Sequence, residues 1–291
     1  MNLAALFKDP PPAYAFEVSE AGIASAELAK APLTGFHPLT PGTVSVSPLR
    51  DNILMPEELA AAVRALAPVN GKSKRRDIAL ILPDYCARVA VLDFDSFPPD
   101  AREQISLVRF RMKKSVPFDV ESAAVGYFAQ HSGGKVDVVA AVAPLEIIAR
   151  YEAPFRAAGM NPGFVTTSSL AALRLVDGTQ VSVLAKRSGN ILTLMVLLGG
   201  VLKLIRCLEL EDVAADLYPT FAYVEDQLGV KAEALLLCGF GAATEEYQRQ
   251  FHRDLGIPVE PLRSAAGAPG ETNAGLIGYL SSYSTSNLRS A

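Results

Sequence analysis

The sequence predicts an α/β chain built from two similar halves, with a smaller α+β block inserted into the first. Three observations predict it. Two hairpin patterns, at residues 14–28 and 191–208, are each followed by a helical stretch and then a short, wholly apolar run. The texture changes near Cys86 and again near Phe164, which marks off a β-α-β-β-α block. The chain has 291 residues, 50% of them apolar and 20% charged, enough apolar mass for one large or two medium cores. No literal repeat is visible, so the likeness of the halves is one of pattern. The expected divisions are 1–85, 86–163 for the insert, and 164–291.

The elements follow in order. Residues 14–18 read as a strand, Ser19-Glu20-Ala21-Gly22 as a turn, and 23–28 as the returning strand. Residues 35–56 are rich in Pro, Thr and Ser; 57–66 then have helical spacing, with Leu59, Ala62, Val63 and Leu66 on one face. The apolar run 78–82, stopped by Pro83, reads as a strand buried on both faces. Residues 89–94 form the insert's first strand, and Pro98-Pro99-Asp100 starts a helix over 102–114 that ends at Pro117. Strands at 124–129 and 136–142 join across Gly133-Gly134, and a helix runs from Pro144 to a stop at Gly159. A strand at 164–167 and a helix at 169–175 lead to the second hairpin, closed by Gly199-Gly200, a strong two-residue turn signal. Residues 213–228 are helical, 234–238 a buried strand, Gly239-Phe240-Gly241 a glycine turn, and 244–255 a helix closed by Gly256.

Composition excludes several classes of function. With a net charge of −4, nothing favours nucleic acid. The one compact basic run, Lys72-Ser73-Lys74-Arg75-Arg76, reads as a solvated loop. Cys86, Cys207 and Cys238 are far apart, lie in or beside apolar runs and read as reduced, buried thiols. Three scattered His residues give a metal site no support. The start, MNLAALFKDPPP, lacks the pattern of a signal peptide, and the most apolar stretch, 191–205, is too short to span a bilayer. The expected compartment is the cytoplasm. Asp93 and Asp95 alternate with apolar residues as on a half-exposed strand, rather than as an acid/base pair. Thr166, Thr167, Ser168 and Ser169 read as a helix N-cap cluster, with no nucleophile elbow.

The segment Val108-Arg109-Phe110-Arg111-Met112-Lys113-Lys114-Ser115-Val116-Pro117-Phe118 resembles the stretch in PilM proteins of type IV pilus assembly where a charged helix ends in an Ile-Pro-Phe-like turn. ILPDYCARVAVLDFDSFP, VAAVAPLEIIARYEAPFRAAGMNPGFVTTSSLAAL, and FAYVEDQLG followed by LLLCGFG fall in that family's order, so the resemblance runs from about residue 13 to 280. It implies a duplicated actin-like (ribonuclease-H-like) fold, related to FtsA and to the cytoplasmic part of GspL, with the insert as the subdomain shared with FtsA. It implies a partner as well: the short cytoplasmic tail of a PilN-like bitopic inner-membrane protein, with cytoplasmic pilus motor ATPases as further partners. Phe110, Arg111, Lys114, Pro117 and Phe118 are the candidate partner-binding residues.

Many members also bind ATP between their halves, on two hairpin turns that start with Asp and follow with Gly. Here Glu17 takes the first Asp position and Ser19 the Gly position, with Glu20 and Gly22 in the turn and Ala24 where a Lys is common. A carboxylate about 4 Å from a triphosphate charge is repelled by roughly 4 kcal/mol at an effective dielectric near 20. The second turn has Ala185 where an acid belongs, followed by Lys186 and Arg187, read as solvated turn charges. Gly239 and Gly241 keep the shape that would let an adenosine approach the backbone. The expectation is a degenerate nucleotide site with no catalytic residue, no metal and no ATP-Mg cofactor, in a cytoplasmic scaffold peripheral to the inner membrane through its partner. The rival expectations are an active ATPase or small-molecule kinase of this fold, and an FtsA-like filament former.

Overall fold

The structure, a computed structural model, describes residues 12–28, 33–67, 76–132, 134–176 and 178–287. The run Lys72-Ser73-Lys74-Arg75, Gly133 and the first eleven residues lie outside them. The chain groups into two compact units. One comprises Asn2–Cys86, Glu146–Leu175 and Arg263–Ala291; the other contains Ala87–Leu145 and Val176–Leu262.

The first unit is built on β1 (Tyr14–Val18), β2 (Gly22–Glu27), β3 (Leu33–Pro38), β4 (Arg76–Leu82) and β8 (Met160–Thr167), in the order β3-β2-β1-β4-β8. β1, β4 and β8 run parallel and the hairpin strands antiparallel. β4 is apolar from Ile78 onward because both its faces are covered. Helix α3 (Leu145–Ala157) packs Phe155 on Phe16, with ring centroids 5.2 Å apart, while α7 (Ala274–Asn287) brings Gly275 against Ile81 on the opposite face. Helix α1 (Pro56–Leu66) buries Leu59, Ala62 and Val63. The stretch before α1, rich in Pro, Thr and Ser, is held in shape by Asn52, which is fully buried. Its amide donates to Ser47 O and Arg50 O and its Oδ1 accepts from the Tyr151 hydroxyl, 3.0 Å away. Burial pushes the Tyr151 phenol well above its ordinary value, so it stays a donor.

The second unit has a five-stranded sheet of its own, β11-β10-β9-β12-β13, from β9 (Ser182–Ser188), β10 (Ile191–Leu198), β11 (Val201–Glu209), β12 (Ala234–Cys238) and β13 (Val259–Pro261). The β10–β11 hairpin turns on Gly199 and Gly200, both at positive φ. Helices α5 (Val213–Leu228) and α6 (Thr244–Leu255) cover one face through Val213, Leu217, Val224 and Phe251.

The same unit holds the insert, a three-stranded antiparallel sheet in the order β5-β7-β6, from β5 (Arg88–Phe94), β6 (Ala123–Ser132) and β7 (Lys135–Pro144). Helix α2 (Ala101–Met112), capped by Asp100, packs Val108 and Met112 against Leu92, Val138 and Val142. Two polar links join the insert to β11. The Gln130 amide exchanges a pair of 3.0 Å bonds with the Leu202 backbone, and Lys203 Nζ lies 2.6 Å from Asp137.

The insert is shorter than the expected 86–163. Its three strands end at Pro144, and the chain from Glu146 to Leu175 belongs to the first unit: α3 is anchored there by Tyr151 and Phe155, and β8 pairs with β4. The sequence passes from β7 straight into α3 with no linker, so no compositional break marks the boundary.

Candidate functional site

In α/β sheets the chemistry gathers beyond the carboxyl ends of the parallel strands. In the first unit β1, β4 and β8 deliver Glu17, Asp84 and the pair Ser168 and Ser169 to that end. Glu17 is 2% exposed and both its oxygens are engaged. Oε1 accepts from the Ser168 hydroxyl at 2.5 Å and Oε2 from the Leu276 N–H at 2.6 Å, in the first turn of α7. Asp84 accepts from the N–H and the hydroxyl of Ser169, at 2.6 and 2.5 Å. It thereby caps the short helix α4 (Ser168–Ala172) from outside, while Thr167, at the N-cap position, makes no side-chain cap. The N-cap cluster read from the sequence is therefore corrected: Asp84 supplies the cap.

The hairpin turn of this unit is closed on itself. Ser19 Oγ donates to Gly22 O and accepts from Gly22 N–H. Glu20, exposed, accepts from the Val46 N–H at 2.8 Å and so ties the turn to the loop before α1. Gly22 is required by packing: a Cβ there would lie 2.5 Å from the Phe36 ring and run into the His37 carbonyl. Each of the four residues has a structural task within its own unit.

In the second unit Ala185, Lys186 and Arg187 stand in β9, not in a turn. Ala185 belongs to the core under α5 and α6. Lys186 is 1% exposed and faces the other way, in a row with Thr193 of β10 and Cys238 of β12. Arg187, half-buried, donates from Nε to Gly189 O in the following turn. Lys186 is thus a buried strand residue, which corrects the reading of a solvated turn charge; β9 is buried on both faces from Ser182 to Lys186, and a charged side chain next to Arg187 gave no sign of it in the sequence. Gly239 and Gly241 follow β12, both at positive φ, and Phe240 between them stacks edge-on against Tyr247 of α6, centroids 5.2 Å apart.

The first carboxylate is committed to Ser168 and Leu276, Ala185 has no donor, and the nearest charged neighbour along β9 is a cation. Among the described residues no group of three or more His, Cys, Asp or Glu side chains could hold a metal.

The candidate partner residues sit on the insert. Phe110 is 68% exposed on the outer face of α2, with Lys113 and Lys114 exposed just beyond it. Arg111 is engaged: its guanidinium lies 3.1 Å from Asp93 Oδ1 and stacks over the Phe94 ring, 4.9 Å from its centroid. Phe118 is half-buried against the insert core, and Pro117 is exposed. The helix stops at Met112, five residues before Pro117, and Arg109 holds the connection by donating to the carbonyls of Val120 and Ala123.

Sequence reasoning missed Asp84, Ser168 and Ser169 as members of the polar cluster, and α7 with Gly275 and Gly278. A Cβ on Gly278 would meet the Ala171 backbone, and one on Gly275 would lie 2.8 Å from Ser168 Cα. The signal for α7 was the pair of glycines three apart in an apolar run, AGLIGYL. Among the described residues no helix is long and apolar enough to cross a membrane.

No protein-family model and no curated protein matches the chain. Solved structures do. A chain of the PilM-PilN type IV pilus biogenesis complex is 17% identical, with 94% of this chain and 98% of that one covered and a TM-score of 0.71. A protein of Bacteroides thetaiotaomicron with an actin-like ATPase fold and unknown function is 12% identical over 95% and 98%, with a TM-score of 0.58. The cytoplasmic domain of EpsL, an inner membrane component of the type II secretion system of Vibrio cholerae, is 12% identical over 94% of each chain, with a TM-score of 0.51. Two similar sheets, each opened by a hairpin and completed by parallel strands, together with these neighbours, establish that the chain has the actin-like ATPase fold.

Proposed function

We propose that the protein is a non-catalytic, PilM-like cytoplasmic scaffold of a type IV pilus or related secretion machine. It binds the short cytoplasmic tail of a PilN-like bitopic inner-membrane protein, which holds it at the membrane. The observation that carries this reading is the full-length similarity to a chain of a PilM-PilN complex. The degenerate hairpin residues support the non-catalytic part: Glu17, Ser19, Glu20 and Gly22 all serve the first unit's own structure.

The side chain best placed to meet a partner on α2 is Phe110. A large apolar group 68% exposed beside two lysines offers area to an apolar residue and charge to an acidic one. Phe118, packed against the insert core, supports the platform from below. The test is calorimetric titration with a synthetic peptide of the cytoplasmic tail of a PilN-like bitopic protein from the same organism. Phe110→Ala weakens binding and leaves the unfolding midpoint unchanged; Phe118→Ala destabilises the fold by about 3 kcal/mol. Unchanged affinity in a folded Phe110→Ala protein removes α2 from the interface. ATP turnover by the purified protein would instead favour the ATPase or kinase reading.

A further inference from the structure

Helix α5 carries a pair of polar groups on the side that it turns to the core. Val213, Leu217 and Val224 of this helix belong to the apolar cluster beneath it. Thr220 stands three residues after Leu217 and four before Val224, on the same face, and is 0% exposed. Asp216, one turn earlier, is half-buried as a whole, but its Oδ2 is closed to solvent. Among the described residues neither Asp216 Oδ2 nor Thr220 Oγ1 has a hydrogen-bond partner. A threonine inside a helix can bond the carbonyl four residues back, which here is that of Asp216; Thr220 makes no such bond. Between the two stands Pro219, which has no N–H to give to the Ala215 carbonyl, so the helix lacks one backbone bond across this same turn.

A buried polar atom left unpaired costs the free energy of its lost hydration, and protein interiors meet such groups with an ordered water bonded to two or more of them. The spacing fits one molecule. Side chains four residues apart on a helix have Cβ atoms about 5–6 Å apart. A water bonded to two oxygens at about 2.8 Å each spans that gap. The chemistry fits as well: an ionised carboxylate only accepts, so the water donates to Asp216, while the hydroxyl either donates to the water or accepts from it. We infer that Asp216 and Thr220 form a binding site for one internal water, which staples the turn of α5 that Pro219 leaves a bond short.

The test joins a crystal structure with a double-variant cycle. Crystals of the full chain, at a resolution that shows ordered water, should place one water within hydrogen-bond distance of both Asp216 Oδ2 and Thr220 Oγ1. Crystals of Thr220→Val, which keeps the shape and loses the hydroxyl, should lack it. In urea unfolding followed by circular dichroism, the Thr220→Val midpoint should fall below that of the wild type. The same substitution should shift the midpoint less in an Asp216→Ala background, because that background has already lost the water. A Thr220→Val midpoint at or above the wild type's means that the hydroxyl is idle and overturns the inference. So do equal shifts in the two backgrounds, a site without water, or a Thr220 hydroxyl bonded to the Asp216 carbonyl. Should Asp216→Ala not fold, the wild-type crystal structure and the Thr220→Val midpoint decide.

Discussion

Replacing Glu17 separates a structural carboxylate from a metal-directing one. It accepts two short hydrogen bonds, from the Ser168 hydroxyl at 2.5 Å and the Leu276 N–H at 2.6 Å, in a place 2% exposed. A hydrogen bond to a charged group contributes about 1.5–3 kcal/mol. Glu17→Ala removes both and strands two buried donors, so it should cost about 3–6 kcal/mol. Glu17→Gln is milder. Its amide oxygen can accept from Leu276 while its NH₂ donates to Ser168 Oγ, since a hydroxyl can act as acceptor. The variant loses the charge, including its favourable interaction with the first turn of α7, for a cost of about 1–3 kcal/mol. Urea unfolding followed by circular dichroism measures both in ligand-free protein, with an unchanged slope required for a like-for-like comparison. A metal-directing carboxylate predicts the opposite order. Removing a buried charge that waits for an absent metal would leave the apo protein as stable as before, or more so. An Ala variant equal to the wild type would therefore refute the structural assignment of Glu17.

Other perturbations test the rest of the account. Gly278→Ala places a Cβ against the Ala171 carbonyl and 2.9 Å from Ala172 Cα, backbone that can yield only if α7 moves; it should lose about 1–3 kcal/mol, while Gly126→Ala, with nothing within 4 Å, stays within about 1 kcal/mol of the wild type. Asp93 is held below the usual aspartate value by a hydrogen bond with its own backbone and by Arg111, and Asp51 by its hydrogen bond to Arg150. A depressed folded-state value means stability present above about pH 3.9 and lost as the pH falls below it. Both groups are largely exposed, so the effect is small and screened by salt. The unfolding midpoint of the wild type should fall more steeply between about pH 5 and pH 2 than that of Asp51→Asn/Asp93→Asn.

Much of the architecture can be read from local pattern. Gly199-Gly200 between two apolar runs specifies the β10–β11 hairpin, and the 213–228 helix, 234–238 strand and 244–255 helix have the expected bounds. The failures have physical reasons. The α7 helix carries two glycines and a serine-rich tail, which intrinsic propensity counts against a helix; close packing on α4, which only glycine permits, overrides it. Strand β3, LTGFHP, ends in proline and carries a glycine, and is a strand because β2 pairs along its whole length. Cys86 and Cys238 are buried as expected, but Cys207 is half-buried, because β11 lies at the sheet's edge. At the candidate site, residue types showed Glu17 in the first hairpin and no acid near Ala185 in the second. They could not show that Glu17 is taken up by α7, nor that Lys186 is buried in β9, since both depend on tertiary pairing.

The measurement that bears most directly on the central claim is titration of the full chain with the partner-tail peptide, once in EDTA and once in magnesium-ATP. A scaffold complete without nucleotide binds the peptide with the same affinity in both. Absence of binding in EDTA, with binding restored by magnesium-ATP, would contradict it and make nucleotide a requirement of the interaction.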